Sequence, residues 1–126
     1  MILYHATGTR FILLLLLSLP ASADVTGVVV RVADGDTVTI LDADKTQHKV
    51  RVAGIDAPEK AQPFGQRAKQ RMSTLVFAKE VRLEGDKRDR YGRTVAKVWV
   101  SPPDCMRCPK TLDAGLAVLT SGFAWH

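Results

Sequence analysis

The chain is poor in cysteine and in long hydrophobic runs, and each shortage excludes a class of protein. Two cysteines in 126 residues are too few for a disulfide-rich scaffold. The apolar run at residues 11–17 is shorter than the ~20 residues that cross a bilayer. The sequence has no internal repeats and no low-complexity linker. With 46% hydrophobic and 25% charged residues, it fits one ordinary globular domain rather than a disordered or collagen-like protein.

Residues 1–23 have the pattern of a secretory signal peptide. The basic residue Arg10 precedes the apolar run, and Pro20 is followed by three small residues that end at Ala23. We therefore expect cleavage after Ala23 and a secreted or periplasmic protein that meets a membrane only through this peptide. An uncleaved membrane anchor is the alternative.

Charge is unevenly distributed along residues 24–126, the expected mature domain. The segment from Lys60 to Arg93 holds ten basic and four acidic residues. Upstream of it, five aspartates lie within 23 positions: Asp34, Asp36, Asp42, Asp44 and Asp56. A basic segment beside a carboxylate cluster suits a polyanionic substrate and a bound cation, because bare carboxylates would repel phosphate. A solvated basic face beside acidic turns is the alternative.

Segments rich in β-branched residues alternate with turn signals and predict the order β-β-β-α-β-β-α. The predicted strands cover residues 25–32, 37–41, 48–55, 80–84 and 94–100, and the predicted helices cover residues 64–79 and 112–123. The Asp34-Gly35 pair predicts a hairpin turn between the first two strands. This order is that of a five-stranded OB-fold Greek-key barrel, a mainly β fold with helices (α+β). A small α+β sandwich would have the same order.

Acidic residues fall where two of the predicted strands end. Asp36 lies at the tip of the first hairpin, and Asp56 follows the third strand. Two carboxylates at neighbouring strand ends can converge on a hard cation, with the backbone carbonyl of Ala57 as a further ligand. Glu59, beyond the rigid Pro58, is close enough to accept a proton from a metal-bound water. The alternative is that the aspartates form turns and Glu59 begins a helix.

Basic residues and one aromatic residue supply the groups that would bind an anion. The guanidinium of Arg51, on the third strand, can hold a phosphate through two donors. In the segment 89–93, a glycine permits a tight turn, Tyr91 offers a stacking face and Arg93 projects from the tip. Lys87 and Arg90 would attract a phosphate backbone, as would Arg67, Lys69, Arg71 and Arg88. A solvent-facing strand arginine and a generic charged hairpin are the alternatives.

Four segments, in this order and spacing, resemble the staphylococcal nuclease (thermonuclease) family. They are Asp34–Thr37, Arg51 leading into Gly54–Glu59, Asp89–Arg93, and Gly122–Trp125. The resemblance covers residues 25–126. It implies an OB-fold phosphodiesterase that depends on Ca²⁺ and cleaves DNA and RNA to leave 3′-phosphate ends.

The same resemblance assigns roles to individual residues. It implies that Asp36 and Asp56 are the calcium carboxylates and that Ala57, where many members have threonine, supplies a carbonyl ligand. Arg51 and Arg93 would bind the phosphate. Glu59 would handle the attacking water, either as general base or by orienting it. From their own chemistry rather than from the resemblance, we expect Tyr91, Lys87 and Arg90 to bind substrate.

Two features depart from the family pattern. Cys105 and Cys108 are additional, and in an oxidising compartment we expect them to form a disulfide. A zinc site would need two more ligands, and no thioredoxin-like context surrounds the pair. The chain also stops at His126, where family members continue into a C-terminal helix, so we expect a fragment, a frame-shifted product or a short member.

The sequence thus predicts a monomeric, secreted, calcium-dependent nuclease with DNA and RNA as substrates and no stable protein partner. Two alternatives remain open. One is a non-catalytic OB-type module that only binds nucleic acid, which would have no reason to keep Asp36, Asp56, Glu59, Arg51 and Arg93 together. The other is an inactive truncated remnant.

Overall fold

The computed structural model of the protein describes residues 24–125. The predicted signal peptide, residues 1–23, lies outside the described residues, as does His126. No helix within residues 24–125 is long and apolar enough to cross a membrane.

The elements follow the predicted order with one addition. They are β1 Thr26–Asp34, β2 Thr37–Asp42, β3 Gln47–Val52, α1 Gly65–Val76, β4 Glu80–Arg88, β5 Thr94–Val100, β6 Leu112–Asp113 and α2 Ala114–Thr120. The addition is β6, a two-residue strand at the position where the sequence predicts the start of the last helix. Its residues pair with the end of β5, and the side chain of Asp113 then caps α2 by accepting from the N–H of Leu116.

The strands form a closed five-stranded barrel. The sheet order is β3-β2-β1-β4-β5-β6, and β3 also pairs with β5, which joins the two ends. That closing pair is parallel and aligns Val50 with Thr94 and Arg51 with Val95. The predicted OB-type barrel with two helices is therefore confirmed.

Alternating side chains fill the barrel and leave polar groups on its outside. On β2 and β3, Val38, Ile40, Val50 and Val52 are almost fully buried, whereas Arg51 between the last two is only half-buried. The helix α1 covers the barrel through its buried stripe of Ala68, Met72, Leu75 and Val76. Because successive side chains of a strand point to opposite faces, Arg51 lies on the outer surface of β3.

Close packing at Gly35 fixes the position of the β1–β2 turn. A Cβ atom at Gly35 would lie 2.8 Å from the Cβ of Ala68 in α1 and 2.9 Å from the Cβ of Ala57. Only a glycine lets the turn approach both neighbours this closely. The turn residue Asp36 is therefore held against the segment that follows β3.

Candidate active site

Asp36 is the one buried charged residue among residues 24–125, with 9% of its surface exposed. Its backbone carbonyl accepts the N–H of Val52 at 2.8 Å, which ties the β1–β2 turn to the end of β3. Its carboxylate accepts the hydroxyl of Thr37 at 3.0 Å and the N–H of Ala57 at 2.9 Å. These bonds orient the carboxylate and compensate for its burial.

Arg51 joins Asp36 to Asp56. Its Nη1 lies 3.3 Å from Oδ2 of Asp36, and its Nη2 is ion-paired with Oδ1 of Asp56. Nη1 also donates to the carbonyl oxygens of Val52 at 3.1 Å and Ile55 at 2.7 Å. The guanidinium thus folds over the loop after β3 and holds both carboxylates. The structure brings together Arg51 and three residues that the sequence singled out as metal ligands, Asp36, Asp56 and Ala57.

Asp56 is held in place by the C-terminal segment. Its N–H donates to the carbonyl of Trp125 at 2.6 Å, and the N–H of Trp125 donates back to the carbonyl of Asp56 at 2.8 Å. The side chain of Asp56 remains 54% exposed. Sequence reasoning missed this positioning role of Trp125, although the segment 122–125 had carried part of the family resemblance.

Glu59 lies on an exposed turn beside this cluster. Its N–H donates to Oε1 of Gln62 at 2.7 Å, and the next N–H, that of Lys60, donates to Oδ1 of Asp34 at 2.9 Å. The second bond ties the turn to the end of β1. Within residues 24–125 no three acidic, histidine or cysteine side chains are grouped closely enough to hold a metal ion. Glu59 therefore does not join Asp36 and Asp56 in one ligand cluster.

The segment 89–93 is organised by Asp89. Its Oδ1 accepts the N–H groups of Tyr91 and Arg93, both at 2.9 Å, and its Oδ2 accepts Nε–H of Arg93 at 2.8 Å. Burial alone would raise the pKa of Asp89, but the hydrogen bonds from Arg93 and Tyr91 outweigh it and hold the pKa below its usual range. The guanidinium carbons of Arg90 and Arg93 lie 5.0 and 5.4 Å from the centroid of the Tyr91 ring.

Register places the predicted phosphate-binding residues near one another. Val95 of β5 pairs with both Arg51 of β3 and Lys87 of β4, so these three positions lie side by side across the sheet. Arg93 precedes β5 by one residue. It therefore lies at the end of the parallel β3–β5 pair where both strands enter it. In the part of the chain that the structure describes, Arg93 forms its ion pair with Asp89 and not with Asp36 or Asp56.

The two cysteines lie away from this cluster. A disulfide joins Cys105 to Cys108 in the loop between β5 and β6. The N–H of Cys108 donates to the carbonyl of Cys105 at 3.1 Å, and the hydroxyl of Ser101 donates to the carbonyl of Cys108. The disulfide therefore closes a compact turn after the C-terminal end of β5, whereas Arg93 precedes the N-terminal end of that strand.

A barrel of this topology, with two carboxylates and an arginine gathered at the end of β3, defines an OB-fold protein with a charged cluster at one end of its barrel. Comparison with known proteins gives the family. Residues 49–126 match the family model described as staphylococcal nuclease homologue. The chain belongs to that family, which confirms the resemblance found in the sequence.

Individual relatives agree with this membership. The chain is 42% identical over 111 residues to Protein ParB of Escherichia coli, covering 88% of this chain and 62% of that protein. It is 48% identical over 85 residues to micrococcal nuclease of Shigella flexneri, covering 68% and 48%. It is 44% identical over 80 residues to thermonuclease of Staphylococcus hyicus, covering 57% and 47%. The chain thus spans about half to three fifths of the length of these relatives.

Proposed function

We propose that the protein is a calcium-dependent nuclease that hydrolyses the phosphodiester bonds of DNA and RNA and leaves 3′-phosphate ends. The observation that carries the proposal is the convergence of Asp36 and Asp56 on the single guanidinium of Arg51. Relatives named micrococcal nuclease and thermonuclease support the reaction class.

The oxygen donors at this site fit a hard divalent cation. Asp36 and Asp56 lie close enough to share one positive group, and Ca²⁺ takes carboxylate and carbonyl oxygens. Asp36, Asp56 and the carbonyl of Ala57 would hold the ion. Because only two ligands are charged, we expect binding in the ~0.1–1 mM range that is typical of extracellular calcium sites. When bound, the ion supplies fixed positive charge beside the phosphate.

The chain's own groups would provide the rest of the chemistry. Attack on a phosphodiester builds negative charge on the phosphate oxygens, and Arg51 and Arg93 are the cations available to receive it. Glu59, on its exposed turn, would accept the proton of the attacking water or orient that water. Neither arginine would act as a general acid, because a guanidinium does not lose its proton in proteins.

Substrate binding would be loose with respect to sequence. Tyr91 is exposed and offers a ring on which a base can stack, while Arg90 lies beside that ring. Lys87, which pairs with Val95 of β5, is exposed on β4. Contacts of this kind go to phosphates and to base faces rather than to base edges, so they carry little sequence information.

Residues 1–23 would direct export and be cleaved after Ala23, so the protein would act outside the cell or in the periplasm. We propose that it acts there as a monomer. The calcium affinity proposed above suits such a compartment.

The direct test is incubation of the purified protein with single-stranded DNA and with RNA, in calcium and then in excess chelator. We expect cleavage of both in calcium, none in chelator, and products with 5′-hydroxyl ends that accept labelled phosphate without prior dephosphorylation. Cleavage unaffected by chelator, or products that require dephosphorylation first, would contradict the proposal. Nucleic-acid binding with no cleavage in calcium would favour the non-catalytic binding module instead.

A further inference from the structure

A cleft with basic lining residues opens between the start of β3 and the segment that links β4 to β5, next to the candidate active site. It has a volume of about 370 Å³. Its lining includes the basic residues His48, Lys49 and Arg88 and the hydroxyl residues Thr46 and Thr94. Other basic residues expected to attract a phosphate backbone lie on α1 instead, namely Arg67, Lys69 and Arg71.

The cleft lies where β3 and β5 separate. The parallel pairing of these strands begins at Val50 and Thr94, so residues 47–49 of β3 lie beyond its start. There the segment 88–94 turns back, with the N–H of Asp89 donating to the carbonyl of Arg93 at 2.9 Å. The cleft is thus a consequence of the barrel's closing pair and of the tight turn that precedes β5.

Strand geometry connects this cleft to the active site. Lys49 and Arg51 are two residues apart on β3 and therefore lie on the same outer face, roughly 6.7 Å apart along the strand. Neighbouring phosphates of an extended single strand have a comparable separation. The Arg51 guanidinium lies beyond the end of β3. A strand whose scissile phosphate lies there can therefore continue back along this face of β3 and bring a neighbouring phosphate to the long side chain of Lys49.

Two carboxylates that adjoin cleft residues, those of Asp42 and Asp89, are already engaged. Asp42 accepts Nε2 of His48 at 2.7 Å and the N–H groups of Asp44 and Thr46, both at 2.9 Å, and Asp89 is bound to Arg93. Neither Lys49 nor Arg88 forms an ion pair within residues 24–125, and both side chains are exposed. Nη1 of Arg88 lies 3.4 Å from the carbonyl oxygen of Gly92, which keeps the guanidinium at the cleft.

We propose that Lys49 and Arg88 form a subsite for the phosphate next to the scissile one, so that the protein binds single-stranded nucleic acid over more than one phosphate. The proposal rests on the proposed nuclease function for the path of the strand. Its binding test does not require cleavage.

The test measures the equilibrium Kd of a fluorescent single-stranded oligonucleotide in chelator, over a series of salt concentrations. Lys49→Gln and Arg88→Gln should each raise Kd about threefold at low salt, the size expected for one exposed ion pair. Each should also reduce the slope of log K against log salt by about 0.7, the value for one phosphate contact on a single strand. Arg107→Gln, an equal charge change in the exposed disulfide loop, is the matched control.

Cleavage gives an independent readout. In calcium, the ratio of kcat/KM for a long oligonucleotide to kcat/KM for a dinucleotide should fall about threefold in either cleft variant, because a dinucleotide has no second phosphate to reach the cleft. The subsite would be overturned if Kd, the salt slope and the kcat/KM ratio change no more in the two cleft variants than they do in Arg107→Gln. If the binding changes appear while the unaltered protein fails to cleave any substrate, the nuclease proposal fails, and Lys49 and Arg88 stand as a phosphate-binding site of a protein that only binds nucleic acid.

Discussion

The backbone of Trp125 pairs with that of Asp56 through two hydrogen bonds, of 2.6 and 2.8 Å. These residues are 69 positions apart and form an isolated bridge rather than part of a longer strand pair. The pairing fixes the backbone of the loop after β3, whose side chains Arg51 contacts. The position of the more exposed carboxylate therefore depends on the C-terminal segment.

Replacing Trp125 with proline should weaken calcium binding. Proline lacks the N–H that donates to the carbonyl of Asp56, so the loop loses one of its two bonds. We expect about a tenfold loss of calcium affinity, the size found when a partner of a metal ligand is removed. Trp125→Ala keeps the backbone pair and is the control. Calcium titration that finds equal affinities in the two variants would contradict the positioning role.

Glu59→Gln should lower kcat by about 100-fold or more with an unchanged melting temperature, and Arg93→Gln should lower kcat as much with the fold retained. Both side chains lie outside the core, so their loss affects proton transfer or charge stabilisation rather than packing. Turnover and thermal unfolding, measured beside Arg107→Gln, separate the two effects. Digestion at the unaltered rate in either variant would reject the role of that residue.

Gly65→Ala should displace the turn that carries Glu59. A Cβ atom at Gly65 would lie 1.8 Å from the carbonyl oxygen of Glu59, and 2.7 Å from its carbonyl carbon, so the backbone must move. We expect the free energy of unfolding to fall by about 1–3 kcal/mol, as for other overpacked sites, together with a loss of kcat. Denaturant unfolding and kinetics are the measurements, with Gln70→Ala on the exposed face of α1 as control. A variant with unaltered stability would show that this contact is relaxed easily.

The segment 89–93 should keep its structure at pH values where an ordinary aspartate is protonated. The pKa of Asp89 is lowered in the folded protein, so the stability that this carboxylate contributes is present above its unfolded pKa and is lost as pH falls through the folded pKa. NMR titration of the Nε–H of Arg93 should show a midpoint below the pKa of an unfolded aspartate. A midpoint at or above that value would mean that Asp89 does not hold Arg93.

Much of the barrel could be predicted from local pattern. The alternation of Val38 and Ile40 on β2, and of Val50 and Val52 on β3, is visible in the sequence and corresponds to the buried face. The end of β4 could not be predicted in the same way. The sequence predicts that the strand ends at Glu84, but the structure extends it to Arg88, because charged residues at the mouth of a barrel pair through their backbone without burying their side chains.

The second helix shows the same limit. The stripe of apolar residues predicts a helix over 112–123, whereas α2 spans Ala114–Thr120. Leu112 and Asp113 are taken into β6 by pairing with Val100 and Trp99, a tertiary contact that helical periodicity does not contain. Gly122, at φ 80°, then adopts a backbone conformation that a helix cannot continue.

The candidate site could be predicted as a set of residue types but not as a set of contacts. Carboxylates at the ends of two strands indicated Asp36 and Asp56, and the structure places both on Arg51. Two contacts depend on backbone groups that nearly every residue carries. Arg51 folds back over the loop by donating to carbonyl oxygens, and Trp125 pairs with Asp56 through N–H and carbonyl groups. Such contacts leave no pattern in one sequence.

Calcium titration by calorimetry tests the central claim most directly, because it asks whether Asp36 and Asp56 form one cation site. The unaltered protein should bind one Ca²⁺ in the ~0.1–1 mM range, and Asp36→Asn and Asp56→Asn should each weaken binding at least about tenfold. Asp44→Asn, an exposed turn aspartate, should bind calcium as the unaltered protein does. Equal affinities in all four proteins, or no calcium binding by the unaltered one, would contradict the claim.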